Sequence, residues 1–174
     1  MAALAASAQG KFQEMHDKLF ENAKKLKRPE LDKYAQEIGL NMAKFKAFMD
    51  GNKGEAAIKA DQKLARSLGA SGTPAFFING RNLSGAQPQA SFEKVINEEL
   101  KKAKALLEKG IARNKVYAEL TKNGLSKTKY LPGGSPKAAG GGADVRKTVK
   151  VNANDPFKGG KKAKITVVEW TDYQ

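Results

Sequence analysis

The residues of this sequence that are best suited to chemistry surround Thr73-Pro74, immediately before the apolar run Ala75–Ile78. Proline is tolerated in front of a strand because it has no N–H to donate to the sheet ladder. The X-Pro bond is also the one peptide bond at which the cis isomer lies only roughly 0.5–1 kcal/mol above trans. On local sequence alone, a cis bond and a trans bond in an ordinary helix-to-strand turn are equally open.

Two further side chains could take part in proton transfer. Glu169 stands in the otherwise apolar stretch 165–170, where a partly buried carboxylate could assist a neighbouring thiol. The alternative is a carboxylate that faces solvent at a sheet edge or pairs with a lysine, and the lack of a cysteine favours it. His16 is the only histidine and has no partner arrangement typical of a triad or a metal site, so we interpret it as a packing or surface residue.

The sequence contains no cysteine, which excludes a disulfide, a thiolate metal site and a thiol nucleophile. The glycine-rich stretches at 133–134 and 140–142 lack the strand-to-helix context and the Lys-Ser/Thr ending of a phosphate-binding loop. We therefore predict neither a metal site nor a cofactor.

The formal net charge of +14 is concentrated toward the end of the chain. Residues 1–110 carry 19 basic and 13 acidic residues, and residues 111–174 carry 13 and 5. A basic protein can bind nucleic acid or an anionic surface, but the lysines are scattered and no nucleic-acid module is recognisable. A solvated lysine-rich surface is the favoured interpretation, and we predict no specific nucleic-acid partner.

Targeting signals are weak in this sequence. No apolar run approaches the ~18 residues that span a membrane, so we predict no membrane insertion. The first residues lack the basic start and the apolar core of a signal peptide. From the residues alone we expect either a cytoplasmic protein or a leader outside this sequence.

Apolar residues at three- and four-residue steps predict four helices, at about 11–23, 29–38, 41–51 and 54–69. Asn41 should cap the third helix, Pro29 should open the second, and Gly39 should end it in the left-handed conformation.

The pattern then changes to short strands. Asn79-Gly80 between two short runs predicts a two-residue hairpin with a return strand at about 81–84. Ser91 should cap a long helix that ends near Gly110, and a short helix is expected at 113–123. A Gly- and Pro-rich composition predicts a linker over 124–144, followed by an edge strand at 145–151 and a β-branched strand at 165–170.

Three stretches together carry a family resemblance. They are Gly69–Gly80 with Gly85–Pro88 following, the helical block at residues 11–69, and Asp155–Gly159 with Ile165–Gln174. This combination resembles the DsbA-like family of thioredoxin-fold disulfide oxidoreductases. The resemblance implies an α/β, thioredoxin-like fold with a helical insertion. Residues 1–110 would hold the insertion, the cis-proline hairpin and the C-terminal helix, with a short helix at 111–123, a linker at 124–144 and the first strands of a repeat at 145–174.

The resemblance also implies a site. In the family the cis-proline loop lies beside the reactive disulfide, and the residue before the proline pairs with the substrate backbone. Gly72, Thr73 and Pro74 would accordingly bind unfolded or extended polypeptides, a cis bond is favoured at Thr73-Pro74, and Glu169 stands where the family often has an acid. The same resemblance implies a periplasmic or exported protein.

The order of elements departs from the family pattern. The Cys-x-x-Cys helix and the strand after it are missing, and the family's first strand comes last. We expect a segment of a tandem protein cut between two active-site motifs, or its structural counterpart, a circularly permuted or strand-swapped module. The last strand would then complete the sheet in its own chain or in a swapped homodimer.

The predicted function is a portion of a DsbA-like thiol:disulfide oxidoreductase, whose family forms or isomerises protein disulfides. This chain itself should be redox-inactive, since exchange requires a thiolate. The first alternative is a redox-dead module that binds peptides at the Thr73-Pro74 edge. The second is a basic nucleic-acid or anionic-surface binder acting through residues 111–164.

Overall fold

The computed structural model describes residues 1–125, 146–152, 155–160 and 163–173. These residues form two compact units. The first unit contains Met1–Lys63 with Pro156–Lys158 and Tyr173, and the second contains the described residues within Leu64–Asp155 and Gly159–Asp172. The domain division predicted at residues 110, 123 and 144 stays a prediction.

The first unit is helical. Its helices are α1 (Ala2–Ser7), α2 (Phe12–Glu21), α3 (Arg28–Glu37), α4 (Met42–Asp50) and the greater part of α5 (Glu55–Leu68). The four helices predicted between residues 11 and 69 are thus confirmed, whereas α1 was not predicted. The core of this unit includes the fully buried Ala6, Met15 and Phe45.

Local sequence explains where these helices start and stop. The Asn41 side chain accepts a hydrogen bond from the Lys44 N–H at 3.0 Å, which satisfies one of the free N–H groups in the first turn of α4. Pro29 lies in the first turn of α3, and Gly39 after its end has a φ of 70°. All three predictions are confirmed.

The second unit holds a three-stranded sheet and the C-terminal helices. The strands are β1 (Ala75–Ile78), β2 (Arg81–Ser84) and β3 (Val167–Trp170), with the order β2-β1-β3 and antiparallel pairing throughout. The helices are α6 (Gln89–Glu108) and α7 (Val116–Thr121), with a short 3₁₀ turn at Arg113–Lys115 before α7. The last strand therefore completes the sheet within its own chain.

The hairpin is explained by its turn residues. Asn79 and Gly80 both have positive φ, at 45° and 84°, as a type I′ turn requires. The Asn79 N–H donates to the Thr166 carbonyl at 2.9 Å, and the Thr166 N–H donates to Asn79 Oδ1 at 2.9 Å. Thr166 is therefore held by the turn, and β3 begins at Val167 rather than at residue 165 as predicted.

The two faces of the sheet have different partners. Phe77 of β1 and Val168 and Trp170 of β3 lie in a core cluster with the end of α5, including Leu68. On the opposite face, Phe76 packs edge-on against Phe92 of α6, with the ring centroids 5.0 Å apart. Mixed helices and an antiparallel three-stranded sheet give the incomplete thioredoxin-like α/β fold that the resemblance implied.

Three predictions need correction or fall outside the described residues. Ser91 does not cap α6, which begins at Gln89 with Pro88 at the N-cap position, because Ser91 already lies inside the first turn, where its N–H donates to the Pro88 carbonyl at 2.9 Å. Of the edge strand predicted at 145–151, the described residues 146–151 do not form a strand: among them, only Arg146 and Lys147 make isolated bridges, since their hydrogen bonds go to a turn and a loop. The linker predicted at 124–144 lies outside the described residues beyond Leu125. Among the residues that are described, no helix is long and apolar enough to cross a membrane.

Candidate functional site

The loop between α5 and β1 is fixed at its start and open at its tip. Gly69 after α5 has a φ of 85°, and the Ala70 N–H donates back to the Ala65 carbonyl at 2.9 Å. Ala70 is buried, whereas residues 71–73 are exposed. A Cβ atom built on Gly72 would meet no other atom within 4 Å, so the tip of the loop is accessible.

The Thr73-Pro74 peptide bond is cis. Pro74 is half-buried, and its carbonyl accepts a hydrogen bond from the Gly85 N–H at 2.8 Å. The next residue, Ala75, is fully buried and pairs with Ser84 on one side and Trp170 on the other. The proline is therefore held on one side by the residue that follows β2, directly before the buried first residue of β1.

Thr73 itself presents unused main-chain groups. Within the described part of the chain, its N–H and C=O make no hydrogen bond, and the residue is exposed. It lies two residues before Ala75, at the end of the sheet where the antiparallel register also brings the end of β3. An exposed main chain at the end of a strand can pair with an extended peptide. Substrate binding by Gly72, Thr73 and Pro74 stays a prediction.

Glu169 is placed in the same sheet but not in a buried setting. It lies opposite Phe76 in the β1–β3 register and is exposed on the edge strand. Its neighbour Trp170 points to the other face, where its ring packs edge-on against Phe77 at a centroid distance of 5.4 Å. This placement corresponds to the solvent-facing alternative.

His16 lies in an aromatic cluster of the first unit. Its ring centroid is 4.8 Å from that of Phe20 and 5.7 Å from that of Tyr173. Its Nδ1 is 3.1 Å from Asp17 Oδ1, and the hydrogen bonds from His16 and then Gln13 lower the pKa of the Asp17 carboxyl. Among the described residues, no group of three histidine or acidic side chains could hold a metal ion.

Sequence reasoning missed a buried ionic cluster in the second unit. Glu99 of α6 is fully buried and accepts two hydrogen bonds from Arg146, from Nη1 and Nη2 at 2.7 Å each. Arg81 Nη1 lies 2.5 Å from Glu98 Oε2 and 3.4 Å from Glu99 Oε1.

The electrostatics of the cluster follow from these contacts. Burial lowers the pKa of the Arg81 guanidinium, but the hydrogen bonds and charges of Glu98 and Glu99 outweigh it, and the net shift is upward. The Arg81 hydrogen bond in turn lowers the pKa of Glu98. The available signal was a charge at Glu99 within the apolar stripe of α6, one turn before Ala103.

Comparison with known proteins gives one family and three relatives. Residues 1–97, more than half of the chain, match the family described as DSBA-like thioredoxin domain. The chain is 38% identical over 84 residues to Na(+)/H(+) antiporter NhaA 3 of Salinispora tropica, which covers 48% of the chain and 13% of the antiporter.

Two further relatives are similar over almost the same length. Na(+)/H(+) antiporter NhaA 1 of Salinispora arenicola is 38% identical over 85 residues, covering 49% of the chain and 13% of that protein. Na(+)/H(+) antiporter NhaA of Herminiimonas arsenicoxydans is 36% identical over 85 residues, covering 49% and 14%. The similarity thus spans a small part of each curated relative. No solved structure matches the chain significantly.

Proposed function

We propose that this chain, which belongs to the DSBA-like thioredoxin domain family, supplies the substrate-binding part of a DsbA-like thiol:disulfide oxidoreductase and is itself redox-inactive. The observation that carries the proposal is the exposed Thr73 main chain, which has no hydrogen-bond partner among the described residues and directly precedes a cis proline. Its ligand would be an unfolded or extended polypeptide.

The substrate backbone would add to the sheet at this point. Thr73 lies two residues before the central strand β1. The Pro74 carbonyl is already hydrogen-bonded to the Gly85 N–H, so the main-chain groups of Thr73 are the nearest to the strand that are left to pair with a ligand. The exposed Gly72 leaves room for side chains of the bound segment. Main-chain pairing of this kind gives affinity with little dependence on sequence, as expected for a protein that acts on many unfolded chains.

The chemistry would have to come from elsewhere. Disulfide exchange proceeds by attack of a thiolate on a sulfur atom, and this sequence has no cysteine. Cysteines of another polypeptide segment would therefore have to approach the Thr73-Pro74 loop. Disulfide formation and isomerisation are activities of such an assembly and not of this chain.

The binding step can be tested by NMR titration of the full chain with an extended, cysteine-free peptide. We expect chemical-shift changes confined to residues 71–76 and their strand partners. Thr73→Pro removes the N–H donor and should abolish these changes, whereas Thr73→Ser keeps the main chain and should retain them. No shift at millimolar peptide with an otherwise intact spectrum would contradict the proposal, and insulin reduction by the purified chain would contradict redox inactivity.

A peptide-binding module that never meets a cysteine-bearing partner is the alternative supported by the same loop. The two functions share the binding step and differ in whether disulfide exchange takes place after it. If a cysteine-bearing DsbA-like segment is added and restores insulin reduction, this chain is part of an oxidoreductase. If peptides bind but no such segment restores turnover, the binding module is the better description.

We also propose an exported, periplasmic location, which rests on the family. The similarity to the three antiporters covers 13–14% of their length, and this supports a shared small module rather than antiport by this chain. Fractionation of cells that express the natural gene product would test the location, and recovery of the protein in the cytoplasmic fraction would contradict it.

A further inference from the structure

A short extended segment of the second unit is held as a bound peptide would be. We call residues 146–149 the strap. The Lys147 N–H donates to the Gly80 carbonyl at 2.7 Å, and the Arg146 carbonyl accepts from the Leu125 N–H at 2.9 Å. The strap is thus hydrogen-bonded through its main chain to the hairpin turn and to the loop after α7. It lies outside residues 1–97, the part of the chain that matches the family.

The first side chain of the strap is a charged anchor. The Arg146 guanidinium donates two hydrogen bonds to the buried Glu99 carboxylate and a third, from Nη1, to the Asn79 carbonyl at 2.9 Å. Paired donors on one planar group match a carboxylate in a way that lysine cannot. The position therefore selects arginine.

The rest of the strap is held by polar contacts and one apolar anchor. Thr148 Oγ1 donates to the Thr121 carbonyl at 2.6 Å, and Tyr117 Oη donates to the Val149 carbonyl at 2.7 Å. The Val149 side chain is only 1% exposed and belongs to the core cluster that contains Phe77. An arginine and a valine three residues apart, joined by an extended main chain, thus fit a complementary surface, which we call the slot.

We propose that this slot is a binding site for extended Arg-x-x-Val segments, and that its occupant in trans is the strap of a second copy of this chain. The slot is formed by the turn at 79–80, Glu99, Tyr117 and the loop at 121–125. Its buried carboxylate is complementary in charge to Arg146, and the hydrogen bonds of Arg146, Lys147, Thr148 and Val149 given above could also be made by the same residues of a neighbouring molecule.

The strap and the loop that it contacts are close in space but far apart in the sequence. Twenty residues separate Leu125 from Arg146, although these two residues are joined by a direct hydrogen bond. A tethered partner has an advantage equivalent to a concentration on the order of millimolar, so the intramolecular strap normally fills the slot. If one variant loses the arginine of the Glu99–Arg146 pair and another loses the carboxylate, the pair can form only between two different molecules.

The test uses two full-length variants. Arg146→Glu has an intact slot and a repelled strap, and Glu99→Arg has an intact strap and a blocked slot. Each variant alone should sediment as a monomer of 18.8 kDa. An equimolar mixture should form a heterodimer of twice that mass, because the slot of the first variant accepts the strap of the second.

The control places both substitutions in one chain. Glu99→Arg with Arg146→Glu restores opposite charges within the molecule, and this double variant should stay monomeric and should not join either single variant. A mixture of the single variants that stays monomeric at 1 mM of each chain, with both spectra well dispersed, would overturn the proposal.

A peptide keeps the proposal testable if Glu99→Arg does not fold. A labelled peptide of residues 144–151 should bind the full-length Arg146→Glu variant, and the same peptide with alanine in place of Arg146 should bind at least tenfold more weakly. Equal binding of the two peptides, or no binding of either, would refute recognition by the slot.

Discussion

The buried carboxylate of Glu99 should be among the most costly single side chains to remove from the second unit. In Glu99→Ala, Arg146 loses both of its 2.7 Å hydrogen bonds to the carboxylate. Arg81 loses the weaker contact at 3.4 Å but keeps its pairing with Glu98. The Arg146 side chain is 14% exposed, so most of its charge would remain away from water after the Glu99 carboxylate is removed.

The magnitude follows from that burial. Removing one partner of a buried ion pair costs about 3–5 kcal/mol, because the other charge is left uncompensated. Replacing both partners with apolar residues of similar volume is often nearly neutral. We therefore expect Glu99→Ala to lower the free energy of unfolding by about 3–5 kcal/mol, and the double variant Glu99→Met with Arg146→Met to recover most of that loss.

The only tryptophan provides the assay. Trp170 is partly buried against the core of the second unit, so its fluorescence in a urea titration reports on the unfolding of this unit. Glu119→Gln is the matched control, since it breaks an ion pair with Lys122 in the same unit in which both side chains are substantially exposed. Such surface pairs contribute about 0–1 kcal/mol. A loss below about 1 kcal/mol in Glu99→Ala, or one no larger than in the control, would refute the argument from burial.

Three further predictions test individual contacts. Burial raises the pKa of the Tyr117 phenol from 10.0 to about 12, although its hydroxyl donates to the Val149 carbonyl. The neutral phenol therefore contributes its full share to the free energy of unfolding below pH 10, and this share is lost as the pH rises toward 12. Urea titrations from pH 9 to 11.5 should show the wild type losing about 1–2 kcal/mol more than Tyr117→Phe, and parallel curves would contradict this. Gly80→Ala should lower the free energy of unfolding by at least about 1 kcal/mol more than Gly110→Ala, which is roughly the smallest cost of overpacking a core. Both glycines have a φ above 80°, but only at Gly80 would the new Cβ lie 2.4 Å from a backbone oxygen. Asn41→Ala should cost about 1 kcal/mol, measured by thermal unfolding, and Asn41→Ser, which keeps a capping oxygen, should cost much less.

Local sequence signals located most of the helices and the hairpin. The strand bounds at 75–78 and 81–84 agree with the prediction because Asn79-Gly80 can form a two-residue turn that fixes the register on both sides. The helices α2 to α5 were visible because each has an apolar face with helical spacing. Helix α1 was missed since its apolar residues are mostly alanines without a polar face between them, and the burial of Ala5 and Ala6 arises from tertiary packing.

Of the two proposed sites, one could be predicted from the sequence and the other could not. The loop with Gly72, Thr73 and Pro74 could be selected because its motif is contiguous in the sequence. The slot around Glu99 could not, since its main partner Arg146 is 47 residues away and a charged pair at that separation leaves no periodic pattern. The strap was instead assigned to an edge strand because alternating β-branched residues look alike whether their hydrogen bonds go to a sheet or to a turn.

Peptide binding and thiol chemistry are separable in this fold, because pairing with the Thr73 main chain requires no sulfur atom. The two binding sites that we propose in the second unit lie at opposite ends of β1. Thr73 precedes its first residue, whereas the turn at 79–80, already bonded to the strap, comes after its last. Four residues of antiparallel strand span about 14 Å, too far for one short ligand residue to contact both ends. A peptide at the Thr73 end should therefore leave the resonances of Gly80 and Glu99 unchanged, and a strap peptide added to the Arg146→Glu variant should perturb those two and leave residues 71–74 unchanged.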